Sequence, residues 1–280
     1  MPNTPSLERL LARTEAVLAR FEASLPPLQQ APDWQSAVAF RWRKSNGRGW
    51  LQAVRHPHPI RLSDLENIDD QKERITANTR QFVAGKTANN VLLTGTRGSG
   101  KSSLVKAVLN EYSAKGLRLI EVDKEDLVDL ADIVDLLDGR PEKFIIFCDD
   151  LSFEAGETAY KALKSVLDGR RHLMPEYFSE NLETHRVDDE IHPGETTEEK
   201  ISLSERFGLW ISFYPFSQDD YLAIANHWAR QLGVADEVIA ASEREALNWA
   251  LSRGSRSGRV AWQFARDLAG RQKTSRKKAK

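Results

Sequence analysis

The sequence predicts an α/β protein: a parallel sheet around a phosphate-binding loop, with flanking helices, followed by a small helical lid. Three observations predict it. The apolar run Val91-Leu92-Leu93 meets a glycine cluster that opens a helical pattern. A second apolar run, "KFIIFCDD" (143–150), ends in two aspartates. The last third of the chain reads as helix.

The first observation is the most specific. In "NVLLTGTRGSGKSSLVKAVLNEY" (90–112), Gly95, Gly100, Lys101 and Ser102 fit G-x-x-x-x-G-K-[ST], the phosphate-binding P-loop. Glycines let the backbone curl with its N–H groups turned inward, and the helix that follows adds its positive N-terminal end. The lysine reaches β- and γ-phosphates and the serine hydroxyl is a Mg²⁺ ligand. A chance match in a chain of this length is on the order of one per cent. The expected nucleotide-binding stretch runs from Gly95 through Thr96, Arg97, Gly98, Ser99 and Gly100 to Lys101, Ser102 and Ser103.

The other elements follow in order. Leu7, Leu10, Leu11, Val17, Leu18 and Phe21 recur at helical spacing between Ser6 and Leu25, and Pro26-Pro27 stops that helix. "AVAFRWRKSNGRGWLQAV" alternates around Asn46-Gly47 and predicts a β-hairpin. Its Arg41, Arg43, Lys44 and Arg48, interleaved with Trp42 and Trp50, suit nucleic acid, but a solvated hairpin face is the favoured reading. A polar helical pattern runs from Ser63 to Val83. After the P-loop helix come a strand at 117–123 and a helix at 130–139 closed by Gly139.

The acid-tipped strand 143–150 delivers carboxylates to the C-terminal edge of the sheet, where ligands collect. Asp149 is the expected Mg²⁺ residue, because P-loop NTPases hold the metal with the loop hydroxyl and such an aspartate. Asp150 is the first candidate to orient an attacking water, and Glu154 the second. Helix N-capping is the bland alternative for the pair.

Bulk composition excludes several classes. With 40 basic and 41 acidic residues among 280, the net field selects no partner. The single cysteine, Cys148, rules out a disulfide framework within the chain. No apolar stretch is long enough to span a membrane and the N-terminus lacks a signal-peptide core. The expectation is a soluble cytoplasmic protein.

With strand, P-loop, acid-tipped strand and helical end in this order, the chain resembles AAA+ ATPases. It further resembles a bacterial AAA+ family known only as a domain of unknown function, in "FIIFCDDLSFE", "RRHLMPE", "EIHPGE", "EEKISLSERFGLWISFYPF" and "GSRSGRVAWQFARDL". These blocks run from about residue 33 nearly to the C-terminus. The resemblance implies ATP and Mg²⁺ as ligands. It also implies that Arg206, just before the last core strand, reaches the ATP of a neighbouring subunit in a homo-oligomer; a helix-end salt bridge is the alternative. Arg259 takes the place of the lid arginine over the phosphates, with Arg256 as competitor.

AAA+ cores carry one more strand, between the P-loop strand and the acid-tipped strand, ending in a polar residue. Here "KSVLDG" runs straight into "RRHLMPEYF", with no apolar run of strand length until Leu209. The sequence therefore predicts that this strand is missing. Either strands 91–94 and 144–148 pair directly in a four-stranded sheet, or the chain is interrupted between Gly169 and Arg170. A strand filling the slot would overturn the deletion reading. "EYFSENLETHRVDDEIHPGETTEEK" (176–200), with nine acidic residues, reads as an exposed loop, and its His185 and His192 lack ligand spacing. The tail "RQKTSRKKAK" holds six basic residues in ten; gripping a phosphate backbone and simple solvation are equal readings of it.

The expected organisation is an N-terminal helix and hairpin region (1–62), a nucleotide-binding core (63–216) and a helical lid with the basic tail (217–280). The expected activity is Mg-dependent ATP hydrolysis coupled to remodelling of an unknown macromolecule. One alternative is a nucleotide-dependent interaction module with little turnover, favoured by the missing strand. Another is a P-loop small-molecule kinase, for which Arg170-Arg171 are the only hint.

Overall fold

The computed structural model describes residues 4–24, 32–45, 47–151, 158–169, 176–181 and 205–278. The chain divides into two units, Met1–Pro32 and Asp33–Lys280. The first holds helix α1 (Thr4–Ser24), with Leu10, Leu11, Val17 and Leu18 exposed.

In the second unit, β1 (Ala39–Ser45) and β2 (Arg48–Ala53) form the expected hairpin. It does not stand in a separate N-terminal region. β1 pairs in parallel with β4 (Leu117–Glu121) and so extends the core sheet. The sheet also contains β3 (Val91–Gly95), β5 (Lys143–Cys148), β6 (Glu176–Asn181) and β7 (Leu209–Phe213). Their order is β2-β1-β4-β5-β6-β3-β7.

Helices α2 (Asp69–Val83) and α3 (Lys101–Tyr112) cover one face of this sheet. There Ile75, Leu104, Val105 and Val108 pack on Leu93, Ile145, Phe147 and Ile211. On the other face, α4 (Leu130–Leu137) and α5 (Thr158–Gly169) bring Ile133 and Leu163 against Phe144, Ile146 and Phe40. Cover on both faces explains why β5 is apolar without a break from Phe144 to Cys148, since neither side of a central parallel strand meets water. At the β7 edge, Gln71 donates to the Ser212 carbonyl (2.9 Å) and Arg74 to that of Trp210 (2.6 Å). Helix α2 thereby occupies groups that would otherwise invite another strand.

The lid follows: α6 (Gln218–Gln231), α7 (Asp236–Ala241), α8 (Glu243–Ser252) and α9 (Gly258–Lys278). Ser217 opens α6 with a reciprocal cap, accepting from the Asp220 N–H (3.1 Å) while the Asp220 carboxylate accepts from the Ser217 N–H (3.0 Å). Tyr221, Ile224, Ala261 and Phe264 form a third core inside the lid.

Two further expectations are corrected. The central slot is filled: β6 pairs with β3 from Val91↔Tyr177 to Gly95↔Asn181, and with β5 from Ile146↔Glu176 to Cys148↔Phe178. The reason is physical. A gap there would leave a row of buried N–H and C=O groups unpaired at ~1–3 kcal/mol each, so backbone demand recruits a segment whose side chains scarcely announce a strand. The part of 176–200 read as loop therefore begins as a strand. The rest of it, with His185 and His192, lies outside the described residues, as does the suspected interruption at Arg170. Second, the helical pattern from Ser63 breaks: a short turn (Leu62–Asp64) and residues 65–68 precede α2, with Asn67 at φ 61°.

Candidate nucleotide-binding site

The loop between β3 and α3 curls because three of its residues are glycines in left-handed backbone: Gly95 (φ 135°), Gly98 (78°) and Gly100 (105°). Other residue types rarely adopt these angles, and space is closed as well. A Cβ on Gly98 would stand 2.8 Å from Ser257 Cβ, and the Gly98 carbonyl accepts from the Gly258 N–H at 3.0 Å. The loop is thus docked on the first turn of α9.

Helix α3 then begins at Lys101. Its first intrahelical bond is donated by the Leu104 N–H to the Gly100 carbonyl (2.8 Å). The N–H groups of Lys101, Ser102 and Ser103 lie in the first turn, where an α-helix offers donors without intrahelical partners. Together with the helix dipole they make an anion site. The Lys101 ammonium donates to the carbonyls of Gly95 (2.8 Å) and Thr96 (2.9 Å), and the residue is only 4% exposed. Burial lowers its pKa below the ordinary lysine value, opposed by the charges of Asp149 and Asp150. Ser99 braces the loop by donating its hydroxyl to the Thr96 carbonyl (2.8 Å).

Strand β5 delivers the acids. The Ser102 hydroxyl donates to Asp149 Oδ2 at 2.7 Å, and Asp149 Oδ1 accepts from the Asp150 N–H at 3.1 Å. Asp150 has φ 62°, a conformation costing roughly 1–2 kcal/mol for a residue with a Cβ. Leu151, directly after the pair, is not helical, so neither aspartate caps a helix at that point. Cys148, immediately before, is an inert filler: burial pushes its thiol up to about 12.

These groups line a cavity of about 380 Å³. Arg97 to Ser103, Asp149, Asp150 and Arg259 all border it, so the expected site residues converge. Gly95 and Thr96 contribute the carbonyls that hold Lys101. Arg259, the second residue of α9, lines the cavity, and its competitor Arg256 does not. Arg206 sits half-buried in the turn before β7 and is not brought to its own chain's cavity. Glu154 lies outside the described residues.

Sequence reasoning missed the opposite wall. Asp64, Leu65, Glu66 and Ile68 border the cavity from the segment before α2, and Trp228 and Trp262 border it from the lid. The two indoles meet edge to face, centroids 4.6 Å apart. Each lies on a helical stripe that reads as lid core, so nothing in the linear pattern marks it as a wall. A ligand that fits has an anionic end for the loop and α3, and a flat apolar end for the lid. Serine hydroxyl and aspartate carboxylate are hard oxygens suited to Mg²⁺.

The hairpin does not join this site. Arg41 pairs with Glu121 (2.7 Å), Lys44 with Asp129 (2.7 Å) and Arg43 with Asp123 (3.8 Å), while Trp42 is 3% exposed. No described helix is long and apolar enough to cross a membrane.

Residues 35–272 match the family described as "Protein of unknown function (DUF815)". Among solved structures, the Orc1 protein of Aeropyrum pernix in complex with DNA is similar at 17% identity and a TM-score of 0.54, over 74% of this chain and 61% of that one. The RuvB Holliday junction branch migration motor of Thermotoga maritima is similar at 16% identity and a TM-score of 0.50, over 74% and 63%. The chain spans less than two thirds of the length of either. No curated protein matches by sequence.

Proposed function

The chain belongs to the DUF815 family of proteins of unknown function and has an AAA+ fold, and from that premise we propose that it binds Mg-ATP and hydrolyses it. One observation carries this reading. The Ser102 hydroxyl and the Asp149 carboxylate meet at 2.7 Å beneath the first turn of α3, beside a buried lysine, in a cavity whose far end is aromatic.

The loop N–H groups, Lys101 and Arg259 hold the phosphates. Ser102 and Asp149 hold Mg²⁺, which when bound neutralises charge on the β- and γ-oxygens. Trp228 and Trp262 receive the base. Asp150 orients the attacking water and accepts its proton; Glu154 is the alternative base. The register of β6 sets Asn181 beside Gly95, the strand-end place that AAA+ proteins give to a polar residue positioning water. The strand in the central slot supports turnover over a module without it; Arg170-Arg171, the hint of a kinase, lie outside the described residues.

Arg206 acts in trans, in a homo-oligomer, on charge developing as the γ-phosphate leaves; such arginines are worth ~10³–10⁵ in rate in GTPases. The basic tail, helical through Lys278, is proposed to meet nucleic acid, with affinity that falls as salt rises.

The test is ATP binding and ATPase activity without an added acceptor. Lys101→Ala should lose binding. Arg206→Ala should bind ATP nearly as the parent does yet turn over slowly, and mixing it with Lys101→Ala subunits should restore some activity. Unchanged ATP affinity in folded Lys101→Ala refutes the site. No recovery in the mixture, with a chain that stays monomeric in ATP, refutes the trans arginine.

A further inference from the structure

The wall that sequence reasoning missed contains a contact between core and lid. Asp64 and Glu66 belong to the segment before α2 and border the cavity; His227 belongs to α6 in the lid. His227 Nδ1 lies 3.0 Å from Glu66 Oε1. Its Nε2 is buried without a hydrogen-bond partner, 4.0 Å from Asp64 Oδ1. Asp64 Oδ2 accepts from the Arg61 N–H (2.8 Å), and the Leu65 carbonyl between the two acids accepts from Lys72 Nζ (2.8 Å), which ties down the backbone that carries Glu66.

From His227 the contacts run into the cavity wall. Its ring stands edge-on to Trp228 at 5.3 Å, and Trp228 stands edge-on to Trp262 at 4.6 Å. His227 is not itself a lining residue, whereas both indoles and both carboxyl-bearing residues are. An imidazole between the Glu66 carboxylate and one of the two indoles helps to set where that indole stands. Beside it, α6 meets the segment through the 3.4 Å contact of the Asn67 amide with the Asp220 carbonyl, at the far end of the helix, and through Trp228 itself, which packs against the cluster holding Leu65 and Ile68.

We propose that His227 is a positioning residue for the base of the bound nucleotide: anchored by Glu66, it holds Trp228 against Trp262 so that the pair presents a preformed aromatic wall. The inference rests on the nucleotide reading of the site. It makes His227 matter to the base and not to the phosphates, which are held by the loop and α3.

The experiment compares two ligands on the full chain, ATP and inorganic tripolyphosphate, the second having phosphates and no base. His227→Ala should weaken ATP about tenfold, the scale of one lost charge-assisted contact, and leave tripolyphosphate affinity unchanged. The ATP-induced change in tryptophan emission should shrink with it. His227→Asn, whose amide nitrogen stands near the place of Nδ1 and can donate to Glu66, should recover most of the affinity and the signal. Should His227→Ala fail to fold, Glu66→Ala cuts the same contact from the core side and carries the same expectations. Equal losses for both ligands would show a merely structural role and overturn the proposal, as would an unchanged ATP affinity. A parent chain that binds tripolyphosphate as tightly as ATP also overturns it, because the base then contributes nothing. A parent that binds neither ligand refutes the nucleotide reading itself.

Discussion

Two cavities bordered by described residues have the same volume, about 380 Å³: the one at the phosphate loop and one between the hairpin and α4. Both set a lysine, glycines and aspartates side by side. At the hairpin, Lys44 Nζ lies 2.7 and 2.8 Å from the two oxygens of Asp129, and the Trp42 indole N–H donates to the same carboxylate at 3.2 Å. The cation there is committed to a fixed anion that its own fold supplies. At the loop, the Lys101 ammonium donates to backbone carbonyls, and the donors of a helix N-terminus open beside it. Carbonyl dipoles hold a cation that a phosphate can outbid; a carboxylate holds one that it cannot. Volume therefore does not separate a ligand site from a structural groove. What the cations face does.

A matched pair of substitutions presses hardest on that contrast. Gly98→Ala forces a Cβ into left-handed backbone at ~1–2 kcal/mol and against Ser257 Cβ at 2.8 Å, so the loop must leave α9. ATP affinity should fall about tenfold or more. Gly49→Ala places a Cβ inside the space of the Trp42 ring. Overpacking of this kind costs ~1–3 kcal/mol, and should lower the denaturation midpoint while ATP affinity stays put. If Gly98→Ala lost stability and kept its affinity for ATP, the two cavities would be alike and the functional assignment would lose its basis.

The same contrast explains what the sequence could reveal. Gly95, Gly100, Lys101 and Ser102 were legible because phosphate binding fixes residue type and spacing within one short loop. Phe144 to Cys148 were legible because a strand covered on both faces must be apolar throughout. Glu176–Asn181 were not, because only Tyr177 and Phe178 of the six are apolar. The strand exists through its backbone pairs with β3 and β5, and ladder bonds leave no mark on side-chain pattern. Trp228, Trp262, His227 and Glu66 meet only once the lid folds back on the core, so no window of the sequence holds them together. The hairpin's Arg41 and Lys44 looked available because Glu121 and Asp129, which neutralise them, lie 80 and 85 residues downstream.

A smaller effect isolates the structural groove. Asp129→Ala removes the acceptor of the Trp42 indole, and Trp42 is 3% exposed. A buried N–H left without a partner costs ~1–3 kcal/mol. Stability should drop by that scale, seen as a lower denaturation midpoint, with no change in ATP binding. A nucleotide affinity that moved with Asp129 would join the two cavities functionally and break the comparison.

The finest test is the sign of a pH slope, because the two lysines are perturbed in opposite directions. Burial lowers the pKa of Lys101, so the unfolded chain binds that proton more tightly than the folded one. The cost of the buried ammonium is fully present below the folded pKa and fades as pH climbs toward the ordinary lysine value of about 10.4. Relative to Lys101→Met, the parent should therefore gain stability as pH rises from the lowered folded pKa toward that value. The hydrogen bond to Asp129 raises the pKa of Lys44, so its contribution is fully present below the ordinary value and is lost as pH rises through the folded one. Relative to Lys44→Met, the parent should keep its advantage to about pH 10 and lose it above. Saturating tripolyphosphate should flatten the first slope, since bound phosphate replaces the carbonyls with a countercharge, and leave the second unchanged. Chemical denaturation of the three chains across this range, with and without the ligand, gives all four slopes. Two slopes of the same sign would mean that the charges of Asp149 and Asp150 outweigh burial at Lys101, and the contrast between the two lysines would fail.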